Sequence, residues 1–210
     1  MFKYISFGPY PNLQTVHDQY NYVIQPDRNF LLFAIFDKTK LDQHGVNEDQ
    51  DRAFAGVISY IKSEPQNLAT EIGTVLILPP FQRTHVASNA VGLLLKYALD
   101  LPMPSQPADA IPAGAGGSKS GLGLRRVVWQ ANVLNTASLR LAERMGFTLV
   151  GICRWDRVLP SGKEGNGLKT REGDPRAGCP GRDSAVLAIC WDEWEDGVKD
   201  KVARIMERKS

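Results

Sequence analysis

The chain has 210 residues, 43% hydrophobic and 23% charged, a composition that suits one well-buried domain and excludes a wholly disordered polymer. Its 25 basic and 23 acidic residues leave a formal net charge of +2, so no nucleic-acid or other polyanionic partner is implied. Three cysteines (Cys153, Cys179 and Cys190) in no C-x-x-C pair point to reduced thiols, and no apolar run approaches the ~20 residues of a membrane span.

The opening Met1-Phe-Lys-Tyr-Ile shows no secretory pattern, so a cytoplasmic location is expected. Gly8-Pro-Tyr-Pro and Asp18 break the first segment into loop and short helical pieces. Phe30–Phe36 is an apolar run that reads as the first strand, closed by the polar stretch Asp37–Asp51. Ala53–Ile61 reads as a second strand pairing antiparallel with the first, and Thr70–Leu78 as a third, stopped by Pro79-Pro80. The period then becomes helical from Val86 to Leu99, with Val86, Ala90, Leu93, Leu94, Tyr97 and Ala98 expected on one inward face. Residues 103–123, rich in Pro, Ala, Gly and Ser, read as a flexible insertion. Leu124–Gln130 is a strand, and Asn135–Arg144 a helix with Leu139, Ala142 and Met145 inward and Gly146 as its stop. Phe147–Val158 is a strand bent at Gly151, residues 160–182 a loop, Ser184–Trp191 the last strand and Asp192–Arg208 a terminal helix. Strands interleaved with helices give an α/β (α+β) class, with all 210 residues in one domain.

Chemistry concentrates between Glu71 and Ala90, where a strand runs through two prolines into a helix. The first N–H groups of a helix lack internal partners and its dipole favours negative charge, so such a junction can hold a pyrophosphate on backbone donors. No Cys/His cluster has metal spacing and no G-x-S-x-G elbow is present. Gly114–Ser120 is similar to a phosphate loop, but it carries Ser118 where the second glycine belongs and neither follows a strand nor opens a helix. A phosphotransferase reading is therefore the poorer one.

Four blocks together are more specific. These are Thr70-Glu-Ile-Gly before the turn, Gln82–Ala87 on a Q-x-x-G-x-A pattern, Leu124-Arg-Arg-Val-Val-Trp, and Asn135-Thr-Ala-Ser-Leu-Arg-Leu-Ala-Glu-Arg-Met-Gly-Phe147. In order and spacing the chain resembles the GNAT acetyltransferase superfamily, particularly its RimJ/RimL-like branch and fungal relatives. The resemblance implies a mixed, mostly antiparallel, twisted six-stranded sheet flanked by helices, with strands 70–78 and 124–130 parallel and splayed. It implies acetyl-CoA as acetyl donor, paired along Leu76, Ile77 and Leu78, with Gln82, Arg83, Thr84, His85, Val86, Ala87 and Ser88 on its pyrophosphate. Asn135 then meets the cofactor's arm, Ser138 lies near the sulfur as proton donor, and Glu71 is the strand glutamate some members use as general base.

The chain departs from the family pattern in three ways. His85 stands at the motif's glycine, and the family's tyrosine acid falls at Ala142, so no tyrosine acid carries over. The chain also starts after the family's first strand and helix, which implies an apolar edge at Phe30–Phe36. The substrate-side wall is then expected to be incomplete or completed by a second chain, for which a homodimer is one form. The expected activity is transfer of acetyl to a primary amine, of a small molecule or a peptide, by direct attack in a ternary complex. Neither nucleic acid nor membrane is an expected partner, and the alternative is a non-catalytic acetyl-CoA-binding or regulatory protein. Blander readings stand beside these: Glu71 as a strand residue paired with a lysine, Ser138 and Asn135 as helix caps, and His85 as a loop residue. Arg154 and Arg157 face solvent or an acidic substrate group, while Trp129, Trp191 and Trp194 are packing aromatics.

Overall fold

A computed structural model describes residues 2–40, 53–103 and 121–208. Strands β1 (Leu31–Phe36), β2 (Phe54–Glu64), β3 (Ala69–Ile77), β4 (Arg126–Asn132), β5 (Thr148–Val158) and β6 (Gly181–Cys190) form one six-stranded sheet in the order β1-β2-β3-β4-β6-β5. Only β3 and β4 pair in parallel, and every other neighbouring pair is antiparallel. This is the mixed, mostly antiparallel sheet expected, with Phe30–Phe36 supplying the edge strand β1. The longer helices are α1 (Leu13–Gln19), α2 (His85–Leu99), α3 (Thr136–Arg144) and α4 (Lys199–Met206).

Strand alternation gives the sheet two chemically different faces. One carries Ile58, Tyr60, Ile72, Val127, Trp129, Leu187 and Ile189 into a single core with α2, α3 and α4. On α2 the inward positions are Val86, Ala90, Val91, Leu95, Ala98 and Leu99. Leu93 and Tyr97, expected inward, are 60% and 46% exposed. The stripe is turned toward Val91 and Leu95, where α2 also meets α4: a Cβ on Gly92 would run into Met206 Sδ. α3 ends as its sequence requires, with Ala142 and Met145 buried and Gly146 at φ +99°.

The C-terminal segment is not one helix. After a turn at Trp191–Glu193, Asp196 (φ −82°, ψ 31°) and Gly197 (φ 110°) leave the helical region before α4 begins. The break lets Trp194 drop into the core at 1% exposure, with Nε1 donating to Asp100 Oδ1 at 2.9 Å. Trp191, expected to pack, is half exposed. The 160–182 loop gives up its last two residues to β6 and is tied to the N-terminal segment by Lys163, whose Nζ donates to the carbonyls of Phe2, Ile5 and Phe7 at 3.0, 2.6 and 2.9 Å. Among the described residues no helix is long and apolar enough to cross a membrane, and Cys153, Cys179 and Cys190 are free thiols.

Residues 104–120 of the expected insertion, including the phosphate-loop look-alike, and residues 41–51 of the polar stretch, with Arg52 after it, lie outside the described residues. The ends of the former meet: Gly121 N–H donates to Leu101 O at 3.4 Å and Gly123 N–H to Asp100 O at 2.9 Å. A short Gly/Ser linker in place of 104–120 should therefore change urea-denaturation stability by less than ~1 kcal/mol, because loop-closure entropy varies slowly with length. A loss of several kcal/mol would show that the segment packs into the fold.

Candidate active site

β3 and β4 pair over three positions only, Ala69↔Arg126, Thr70↔Val127 and Glu71↔Val128. Beyond Glu71 they follow different partners: β3 stays on β2 as far as Ile77↔Gly56, while β4 stays on β6 as far as Asn132↔Ser184. A left-handed Thr74 (φ 49°) and a register shift in β2 between Val57 and Ser59 help turn β3 away. Residues Ala69–Ile72 are buried, and the run from Gly73 to Ile77 is half-buried. The gap-facing edge of β3 thus offers backbone groups that no strand takes, which an extended ligand can pair with.

Both helices that follow these strands begin at the open end of the gap. Pro79–Phe81 turns the chain out of β3, Leu78 N–H remains on Ala55 O at 2.8 Å, and Gln82 Nε2 folds back to donate to Ile77 O at 2.9 Å. Thr84 caps α2: its Oγ1 donates to Phe81 O at 2.7 Å and accepts from Val86 N–H at 3.3 Å. The left-handed residue is Arg83 (φ 64°) and not His85, which stands as the first residue of α2, so the histidine at the motif's glycine position carries no backbone strain. His85 Nε2 lies 3.4 Å from Asp37 Oδ1. Burial pushes the Asp37 carboxyl up, but hydrogen bonds from Thr39 together with His85 outweigh it and hold it below the usual range.

Val86 is buried and its N–H is already taken by Thr84, and Ala87 follows it in the first turn. The Ser88 hydroxyl accepts from Arg144 Nη2 at 3.0 Å, so it braces α3 against α2. At the end of β4, Asn135 Oδ1 caps α3 by accepting from Ser138 N–H at 3.3 Å. Trp129 Nε1 donates to Ser138 Oγ at 3.1 Å. That bond occupies an oxygen lone pair and leaves the hydroxyl proton available to another acceptor. Trp129 is thus a packing residue with a polar task.

Glu71 faces away from the helices and is buried, unlike the surface residue of the bland reading, although it does pair with a lysine. Lys62 Nζ lies 2.7 Å from Glu71 Oε2 and donates to Gln130 Oε1 at 2.7 Å. Burial raises the Glu71 pKa above its ordinary value despite Lys62 and Arg157, which pull it down. By alternation Arg182 and Ser184 of β6 share this face. Ser184 Oγ donates to Asp156 Oδ2 at 2.6 Å, and Arg157 Nε lies 3.4 Å from the same oxygen.

Of this network the sequence identified Glu71 and Arg157. It missed Lys62, Gln130, Asp156, Arg182 and Ser184; for Arg182 and Ser184 the available signal was the polar run Arg182-Asp183-Ser184 at the start of an otherwise apolar β6. Two clefts of about 280 and 510 Å³ lie at Lys163 and include no residue of β3, β4 or α2. Among the described residues no cluster of three or more His, Cys, Asp or Glu could hold a metal ion.

The family model for an acetyltransferase (GNAT) domain matches residues 2–148. A GCN5-related N-acetyltransferase from Brucella melitensis superposes with a TM-score of 0.65 at 22% identity, covering 98% of this chain and 70% of its own. A spermidine N-acetyltransferase from Vibrio cholerae, in complex with CoA and spermine, superposes with a TM-score of 0.58 at 15% identity, covering 92% and 84%. At these identities the structural likeness speaks for the fold. No relative is found among the curated proteins.

Lys62 supplies a test of the Glu71 environment. A carboxyl whose folded pKa is raised contributes stability that is present below its unfolded pKa and lost as pH rises through the folded value. Lys62→Met removes a group that lowers this pKa, so its cost should be small near pH 4 and grow to about 1–3 kcal/mol toward pH 8 in urea denaturation. A penalty independent of pH would mean that the pair is incidental.

Proposed function

The chain belongs to the GNAT acetyltransferase family, and on that premise we propose that it is an acetyl-CoA-dependent N-acetyltransferase of the RimJ/RimL-like type, acting on a primary amine by direct attack. The observation that supports this reading most strongly is the parting of β3 from β4 beyond Glu71, with two helix N-termini at its open end and a buried carboxylate at its closed end. The acetyl group comes from acetyl-CoA, whose thioester supplies an acyl carbon activated toward nitrogen.

The residues fit that group. The free edge of β3 at Leu76 and Ile77, continued by Leu78, pairs with an extended amide-bearing arm, as a strand edge pairs with a peptide. The N–H groups at the start of α2 that Thr84 does not cap, preceded in the chain by Arg83, would hold a pyrophosphate. Asn135 holds the arm from the β4 side, next to its cap of α3.

The gap joins the two faces of the sheet. Glu71 belongs to the face away from the helices and Ser138 to the helix face, so amine and leaving sulfur are handled from opposite sides. An alkylamine with pKa ~10.4 is neutral in about 0.04% of molecules at pH 7, which costs about 4.6 kcal/mol. Glu71, its pKa raised by burial, is a stronger base than a solvated carboxylate and takes the amine's proton directly or through one water. As the N–C bond forms and the C–S bond breaks, the Ser138 hydroxyl gives its proton to the leaving thiolate and recovers one from solvent. Trp129 keeps that hydroxyl oriented.

Glu71→Gln should lower turnover of a basic alkylamine by about 10²–10⁴-fold and of a weakly basic arylamine far less, with CoA affinity little changed. The acid limb of the wild-type kcat/KM profile should lie above the ordinary carboxylate range, since Glu71 must be ionised to act and burial raises its pKa. Ser138→Ala should slow both amines alike. CoA binding without acetylation of any amine would favour the non-catalytic reading. Equal, small losses for both amines in Glu71→Gln would make Glu71 structural.

A further inference from the structure

The polar cluster around Glu71 has one cation too many. Lys62, Arg157 and Arg182 are set there against Glu71 and Asp156, three positive groups against two negative. Both carboxylates are already engaged, Glu71 by Lys62 at 2.7 Å, and Asp156 by Ser184 Oγ at 2.6 Å and Arg157 Nε at 3.4 Å. Arg182 is left over. It is 9% exposed, its Nε is buried without a hydrogen-bond partner, and no ion pair holds it among the described residues. Yet Asp156, Arg157 and Glu71 all act on its guanidinium through space, so it belongs to the same cluster.

A guanidinium taken out of water and left unpaired is unfavourable, and a carboxylate brought to it by a ligand offsets that cost through paired, charge-assisted hydrogen bonds. A polyamine would do the opposite, adding positive charge to a cluster that already has a surplus. Resting on the acetyltransferase reading of the Glu71 site, we infer that the acceptor is a small aminocarboxylate, its carboxylate held by Arg182 and its amine presented to Glu71. The low exposure of Arg182 selects a compact anion over a long peptide. A spermidine-type acceptor, as one structural neighbour is named for, is disfavoured in this chain by the same charges.

The test is a series of ω-aminocarboxylates of two to six carbons, each compared with its own primary amide and with spermidine, by acetyl-CoA-dependent turnover of the full chain. At least one acid should exceed its amide by about 10–100-fold in kcat/KM, after correction for the neutral fraction of each amine. In Arg182→Gln that ratio should collapse toward one, mostly through KM, and Arg182→Lys should fall between. The wild-type ratio stands without either variant, should they fold poorly. Amides or spermidine turned over as well as the acids, or an acid preference that survives in Arg182→Gln, would overturn the inference while leaving the N-acetyltransferase intact. Tight CoA binding with no amine of any kind acetylated would overturn the acetyltransferase reading itself, and this inference with it.

Discussion

The parting of two parallel strands after only three paired residues is the constraint on which the rest of this structure depends. β3 is held by β2 and β4 by β6, so neither can close the gap without surrendering an antiparallel ladder on its other side. A backbone edge left inside a fold is unfavourable unless water or a ligand takes its groups. Here the edge is placed where two helices start, so an extended arm and a charged phosphate head would find donors at adjacent positions. The Arg144–Ser88 hydrogen bond ties the start of α2 to the last residue of α3.

The same parting separates tasks by face. The helix face is apolar, with Trp129 packed against Phe147 and donating to Ser138. The opposite face holds the buried polar groups Glu71, Arg182 and Ser184, a combination that hydrophobic packing alone would not select. Burial does two things to those groups: it strengthens Glu71 as a base, and it leaves Arg182 wanting an anion. Both consequences come from one low-dielectric environment.

Much of this was legible in the sequence. The six strands were readable because each is a short apolar or alternating run bounded by Pro, Gly or charge, and Asn135 and Gly146 marked the ends of α3 plainly. The α2 stripe was read one step off, because Leu93 and Tyr97 are as apolar as Val91 and Leu95, and only the position of Met206 and Val202 opposite Gly92 decides which side is inside. Arg182 was hidden for another reason: it adjoins a Gly- and charge-rich loop, and its burial follows from pairing with Arg157 across a shifted register. Lys62 met Glu71 through a bulge at a left-handed residue (φ 48°), which periodicity does not reveal. Local order was readable; partners brought together by register were not.

The claim that the β3–β4 gap is the cofactor cleft can be tested most directly by hydrogen–deuterium exchange with and without CoA. The account predicts that protection appears at Val75–Leu78 and in the first turn of α2, around Arg83–Ala87, and that ATP at equal concentration does not reproduce it along the strand. Protection confined to the Lys163 clefts, or none at β3 under saturating CoA, would contradict it.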